Sequence, residues 1–236
     1  VAENNPGDSL ISEVLPIINL IIASKELCAK PRVVFASTAT IYGLTTILPV
    51  NENTISAPIT LYDLNKFFAE QQLKMASNSN IIDAIALRLS NVYGPSTNEC
   101  SSSDRGVLSK VTKMSFENKN LQVYGNGEYM RDYIYISDVV NAFLSASIMS
   151  YKEIRKTNEI VFNVASEKGT LVKDVFLLIS EEVKKITGIS LEVKNIPWPN
   201  QVNEIEKRNF IGSSERLKSF SGWSSKTTIK KGIYSL

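Results

Sequence analysis

Tyr62 and Lys66 stand four positions apart, downstream of the segment Ser37-Thr38-Ala39-Thr40-Ile41-Tyr42-Gly43. Residues i and i+4 of a helix share a face, so the Lys66 ammonium is expected beneath the Tyr62 ring, where a cation favours the phenolate. A phenol titrates near ~10 when unperturbed and is a poor base at neutral pH without such help. A hydroxyl from the strand end at Ser37 or Thr38 then shares the proton with a substrate alcohol. That set suits removal of H⁺ from a carbinol while a hydride leaves to a nicotinamide. The chain contains no histidine. The usual neutral-pH base is therefore absent, and Tyr62–Lys66 becomes the main candidate.

Tyr-x-x-x-Lys alone carries little weight in a chain with nine tyrosines; a solvated lysine beside a half-buried ring is the plain alternative. The elements that must position the pair are more informative. Arg32-Val33-Val34-Phe35-Ala36 is a short continuous apolar run, the pattern of a parallel strand buried on both faces. A loop rich in Thr, Pro, Asn and Ser spans 44–61, and a helix follows from Tyr62 to about Asn78. Residues 81–89 read as a second buried strand leading into Asn91-Val92-Tyr93-Gly94-Pro95. The order α, β, α, β predicts an α/β protein with a doubly wound parallel sheet. Ligands of such sheets bind beyond the carboxyl ends of the strands, where Ser37 and Thr38 fall.

Beyond a Ser-rich surface loop at 96–105, the pattern predicts a helix over 107–116, a strand over 121–124 and a turn at Gly125-Asn126-Gly127. A strand over 131–136 precedes a helix over 139–149 capped by Ser137 or Asp138. A strand at 161–165, an amphipathic helix at 171–187 closed by Gly188, a strand at 191–196 and a short helix at 214–220 complete the pass. Residues 10–23 are strongly apolar but interrupted by Ser12, Glu13, Pro16 and Asn19. They read as a core helix packed on both sides, too short for a bilayer span and without a basic leader or cleavage site. Pro16 fits there only in the first turn of a later-starting helix.

Composition adds exclusions. Apolar residues at 43%, charged residues at 21% and a net charge of +2 over 236 residues describe an ordinary globular chain. Nothing in that charge calls for nucleic acid or a membrane surface. Cys28 and Cys100 make no disulfide framework, and without histidine no zinc spacing exists. A reducing, cytoplasmic setting is the expectation.

Four ordered motifs carry a resemblance: Phe35-Ala36-Ser37-Thr38-Ala39-Thr40-Ile41-Tyr42-Gly43, Tyr62-Asp63-Leu64-Asn65-Lys66, Leu87-Arg88-Leu89-Ser90-Asn91-Val92-Tyr93-Gly94-Pro95, and Val123-Tyr124-Gly125-Asn126-Gly127 with Arg131-Asp132-Tyr133-Ile134. The set resembles the extended short-chain dehydrogenases/reductases that act as nucleotide-sugar epimerases and dehydratases. The tail, Gly222-Trp223 followed by Ile229-Lys230-Lys231-Gly232-Ile233, is similar to theirs. The resemblance implies a Rossmann-type sheet, NAD as cofactor and a nucleotide-diphosphate sugar as substrate. By it, Tyr62 is the base, Lys66 tunes it and binds the nicotinamide ribose, and Thr38 is the catalytic hydroxyl that also faces substrate. Ser37 neighbours the cofactor. Asn91 and Arg131 meet the substrate diphosphate, and Tyr124 packs near the nucleobase. A surface ion pair of Arg131 with Asp132 or Asp138 is the plain alternative, as is a core role for Tyr124. Glu204 and Arg208 are further candidates in a stretch of unclear register.

The same resemblance implies a strand, a glycine-rich turn and a helix ahead of Val1-Ala2, roughly 70–90 residues judged from the length of βαβ units, and no Gly-x-x-Gly-x-x-Gly occurs in the chain. Residues 1–95, rejoined by about 131–165, are expected to belong to the dinucleotide-binding domain, and 96–130 with 166–236 to a smaller substrate-binding region. A homodimer through the helices at 10–23 and 62–78 is also implied. The residues after Thr38 bear on the chemistry. Dehydratases of the family place Asp-Glu there and decarboxylases keep a Glu, whereas this chain has Ala39-Thr40, without a carboxylate for added acid–base work. That pair resembles the 4-epimerases. A 4-keto reductase, a dehydratase and a truncated binding module are the alternatives.

Overall fold

The computed structural model describes residues 5–27, 30–95 and 107–236. The expected Ser-rich loop at 96–105, both cysteines and Val1-Ala2 lie outside the described residues. The chain enters through two short helices, α1 (Pro6–Glu13) and α2 (Leu15–Glu26), with the break at Val14. Pro16 sits in the first turn of α2, where its missing N–H is no loss. The expectation of a core helix fails here. α1 buries none of its residues and α2 buries only Ile17 and Ser24, while Leu10, Ile11, Leu15 and Ile22 are exposed. Together, residues Pro6–Glu26 form a 21-residue run of mean hydropathy 1.4, long and apolar enough to cross a bilayer by composition. The shorter stretch read from sequence missed that length. Ser9 and Glu13 of this run face another helix, as described below.

Strand β1 (Arg32–Thr38) leads into a 3₁₀ turn (Ala39–Tyr42), and a loop connects it to α3 (Leu61–Asn78). Thr60 caps α3 reciprocally: its hydroxyl accepts Asp63 N–H at 3.1 Å, and the Asp63 carboxylate accepts Thr60 N–H at 3.3 Å. Leu73, Ala69 and Ala76 of α3 pack with Ile17, Ile82 and Ala84 beneath the sheet. Strand β2 (Asp83–Leu89) pairs with β1 in parallel, placing Ser37 opposite Arg88 and Thr38 opposite Leu89. β2 reads apolar because both faces are covered.

The chain then forms β3 (Asn91–Tyr93), α4 (Val107–Phe116), β4 (Leu121–Tyr124) and β5 (Met130–Tyr135). Helix α5 (Ile136–Ile148) starts three residues earlier than its pattern suggested. Its cap position is Tyr135, without a side-chain cap bond, rather than Ser137 or Asp138. Asp138 instead accepts Lys226 N–H, Thr227 N–H and the Ser225 hydroxyl. A short helix α6 (Tyr151–Thr157), unforeseen in the sequence, leads to β6 (Val161–Val164), which joins the parallel sheet beside β2. Ile85, Leu87, Phe162, Val139, Ala142 and Trp223 fill one face of this sheet.

A second sheet has β5 at its centre, parallel to β3 and antiparallel to β7 (Gly169–Leu171), another element the pattern did not show. Helix α7 (Val172–Thr187) ends at Gly188 in the left-handed conformation, as expected. Strand β8 (Val193–Ile196) pairs in parallel with β4. Helices α8 (Glu215–Ser221) and α9 (Ile229–Tyr234) close the chain. A Cβ at Gly232 of α9 would lie 2.1 Å from the Tyr93 hydroxyl, so only glycine lets this helix seat. A second core, with Leu108, Val111, Val123, Phe176 and Ile179, lies between α4, α7 and β4.

Candidate active site

The carboxyl end of β1 and the first turns of α3 bring Ser37, Thr38, Tyr62 and Lys66 into one neighbourhood. Lys66 Nζ donates to the Ala36 carbonyl at 3.2 Å and lies 4.9 Å from the Phe35 ring centroid. It is 5.8 Å from the Tyr62 ring centroid, on the shared helix face. Its ion pair, however, is with Glu13 of α1 at 2.5 Å. Tyr62 is 39% exposed rather than sunk in the core. Its phenol is pushed up to about 12, chiefly by burial of the ring and then by the Glu13 and Asp63 carboxylates. This corrects the expectation that Lys66 lowers it: Glu13 takes up the cation and adds a repelling charge. α1 is held to α3 by this ion pair and by the Asn65 amide donating to Ser9 Oγ at 3.0 Å.

Ser37 faces inward. Its hydroxyl donates to Glu70 Oε1 at 2.5 Å, and Arg88 donates to the same carboxylate from Nε and Nη2 at 2.9 and 2.6 Å. Arg88 lies 4.6 Å from the Tyr42 ring centroid, and the Tyr42 hydroxyl donates to Asn163 Oδ1 at 2.7 Å. The Ser37 side chain thus anchors a buried polar network. Thr38 caps the 3₁₀ turn: its Oγ1 accepts Thr40 N–H at 3.2 Å and lies 2.8 Å from Thr40 Oγ1.

Asn91, Tyr124 and Arg131 are brought together elsewhere, around a cavity of about 480 Å³ between α4, β4 and β5. Val107, Val111, Met114 and Phe176 give it an apolar floor. Trp198, which sequence reasoning missed, stacks on Tyr124 with centroids 5.3 Å apart and planes 18° from parallel. It also leans on Tyr129 at 5.4 Å. Gly125, at φ +62°, makes that approach possible, since a Cβ there would lie 2.6 Å from Trp198 Nε1. Only the adjacent Pro197 and Pro199 hint in the sequence that Trp198 leaves the strand and turns inward.

Arg131 is buried, and its guanidinium donates to the carbonyls of Met130 at 3.1 Å, Glu206 at 2.5 Å and Arg208. The plain alternative, an ion pair of Arg131 with Asp132 or Asp138, does not form. Asp132 is occupied by the N–H groups of Ser166, Glu167 and Gly212. Arg208 is also buried and donates to the Gly43 carbonyl at 3.0 Å. Its pKa is pushed down to about 10 by burial and by the neighbouring Arg131 charge. Arg131 is lowered as well, chiefly by burial. Among the described residues neither arginine enters an ion pair. Glu204, the other candidate in this stretch, pairs with Lys207 at 2.8 Å in the turn Glu204–Lys207, and Glu206 lines the cavity instead.

The two groups do not share one cavity: Thr38, Tyr62 and Lys66 are not among its lining residues. Arg208 links them, bonded to Gly43 just after the 3₁₀ turn and, through its carbonyl, to Arg131. No cluster of His, Cys, Asp or Glu among the described residues could hold a metal ion.

The arrangement places a phenol, an amine and a hydroxyl beyond a parallel sheet, beside an aromatic-walled cavity edged by Arg131 and Glu206. Residues 2–165 match the model of the NAD dependent epimerase/dehydratase family, and the chain belongs to that family. A protein of Methanocaldococcus jannaschii provisionally named UDP-glucose 4-epimerase is 33% identical over 203 residues, covering 86% of this chain and 60% of that protein. The UDP-glucose 4-epimerase of Lactobacillus helveticus is 26% identical over 230 residues, 91% of this chain and 65% of the relative. The chain thus spans 60–65% of the length of these curated relatives. The crystal structure of the Thermotoga maritima UDP-glucose 4-epimerase with UDP-glucose superposes with a TM-score of 0.84 at 27% identity, over 99% of this chain and 70% of that one.

Proposed function

We propose that this chain carries the substrate-facing part of an NAD-dependent epimerase acting on a nucleotide-diphosphate sugar, a UDP-sugar inverted at C4. The observation that carries the reading is Arg131, buried and donating to carbonyls without an ion pair among the described residues, at the edge of a cavity lined by Tyr124 and Trp198, with the buried Arg208 beside it. Two such cations suit a diphosphate, and the aromatic wall suits a planar base. Relatives named as UDP-glucose 4-epimerases, together with this chain's own Ala39-Thr40 in place of a carboxylate pair, favour epimerisation over dehydration.

Lys66 and Tyr62 fit a dinucleotide's ribose: an amine and a phenol beyond the carboxyl end of a parallel strand, with Lys66 reaching back to the Ala36 carbonyl. When bound, NAD supplies reversible hydride acceptance. Tyr62 exchanges the proton of the C4 hydroxyl, and Thr38 orients that oxygen. Arg131 and Arg208 hold the diphosphate while the sugar turns, and Asn91 contacts its neighbourhood. The dinucleotide-facing part comprises residues 1–95 with 131–165, and the substrate-facing part 96–130 with 166–236. Exposed Leu10, Ile11, Leu15, Leu64 and Phe68 support pairing of two protomers through α1, α2 and α3, in a cytoplasmic protein.

The test is Tyr62→Phe in the full-length protein. Epimerisation is expected to fall by three orders of magnitude or so, with UDP-sugar binding near normal. Unchanged turnover removes Tyr62 from this role, and stoichiometric consumption of NAD(P)H by the wild type makes the protein a reductase instead.

A further inference from the structure

Asp63 directly follows Tyr62 and is buried at the start of α3. One carboxylate oxygen accepts Thr60 N–H, and the other accepts the Thr40 hydroxyl. A carboxylate only accepts, so the single Thr40 hydroxyl proton points at Asp63. In the 2.8 Å contact between Thr40 Oγ1 and Thr38 Oγ1, the donor is therefore Thr38. Thr38 Oγ1 also accepts Thr40 N–H at 3.2 Å. Its one proton and one of its lone pairs are used inside the protein. A single lone pair remains for a ligand.

We propose that Asp63 and Thr40 are positioning residues that fix the polarity of Thr38, making it a hydrogen-bond acceptor toward the substrate alcohol and preventing it from donating to the ketone. The proposal rests on the reading of Tyr62 as the proton-exchanging group. A substrate hydroxyl between the two then donates to Thr38 while Tyr62 is protonated, and turns its proton to Tyr62 when that phenol ionises. The ketone oxygen is left with Tyr62 as its donor in this pair, so the phenol alone reports on and responds to the oxidation state of the sugar. The capping box makes the arrangement rigid, because the carboxylate that orients Thr40 also fixes the first turn that carries Tyr62.

Three variants of the full-length protein test this. Thr40→Val removes the acceptor that holds the Thr38 proton; kcat is expected to fall by roughly ten- to a hundredfold, with KM for the UDP-sugar within about threefold. Thr40→Ser restores the hydroxyl and most of kcat. Asp63→Asn removes a charge that faces Tyr62 together with Glu13 from α1 and Lys66 from α3, while Arg208 faces Asp63 from the segment after the turn Glu204–Lys207. Tyr62 then titrates at lower pH, read from ¹³Cζ-labelled tyrosine with the resonance assigned by Tyr62→Phe; in Thr40→Val that titration stays in place. Wild-type kcat in Thr40→Val, equal losses in the valine and serine variants, or a Tyr62 titration unmoved by Asp63→Asn overturns the proposal. Wild-type turnover in Tyr62→Phe overturns the underlying reading instead.

Discussion

Lys66 and Arg131 are both cations at the candidate site, yet the protein treats them differently. Lys66 has an internal counter-charge in Glu13 at 2.5 Å. Arg131, with Arg208 beside it, donates to carbonyl oxygens and enters no ion pair among the described residues, with the Glu206 carboxylate acting on both from farther away. Arg88 is a third case, buried deeper than either region's surface and held by both oxygens of Glu70. A cation paired within the fold has its desolvation offset when the chain folds. One without an ion-pair partner keeps that deficit, so folding offsets the charges of Lys66 and Arg88, and on the proposed reading a bound diphosphate offsets that of Arg131.

The largest expected effect breaks the internal pair. Glu70→Ala leaves Arg88, 4% exposed, without its carboxylate and Ser37 without its acceptor. The loss is about 3–5 kcal/mol, read as a fall in Tm of roughly 10 °C or more. The opposite is expected of Arg131→Met, which removes a buried charge that enters no ion pair among the described residues. The fold survives with little change in Tm, while UDP affinity falls by roughly a hundredfold, about 2.7 kcal/mol. UDP at ~100 times Kd stabilises the wild type by about the same amount, a Tm rise of roughly 5–10 °C, and that rise should be small in Arg131→Met at the same concentration. A variant of Arg131 that unfolds, or one that keeps its UDP shift, would make it a structural arginine like Arg88.

How much of this was legible in the sequence follows the same division. The parallel strands, α3, α4, α7 and the Gly188 stop were readable because apolar runs and caps are local signals. Asn91, Tyr124 and Arg131 come from separate motifs and line one cavity. Partners distant in sequence were not readable. Glu70 shares a helix face with Tyr62 and Lys66 at i, i+4 and i+8, but nothing in that spacing says that it points at Arg88. The capping box of Thr60 and Asp63 went unread, and its reach to Thr40 needed coordinates. β7, with three residues, and α6, with seven, are too short to show a period. The apolar run of α1 and α2 misled because apolarity reports a surface that should be covered, without saying by what.

The finest expected effect returns to Lys66. Glu13→Gln removes the carboxylate that both holds this ammonium and repels a Tyr62 phenolate. Both changes act in one direction, so the phenol, pushed up to about 12 in the wild type, ionises at lower pH. On the proposed reading Tyr62 works as a base in its deprotonated form, so the acid limb of the log kcat/KM profile moves to lower pH. At neutral pH kcat/KM rises, by up to about tenfold for each unit moved. UDP affinity stays unchanged, because Glu13 lies at the paired end of the site and Arg131 and Arg208 at the other. Asp63 still faces the phenol, so the return toward ordinary tyrosine behaviour is incomplete. An acid limb that does not move would mean that the cation near Tyr62 is governed by something other than Glu13, and the contrast between a cation satisfied by the fold and cations awaiting a ligand would then fail at its Lys66 end.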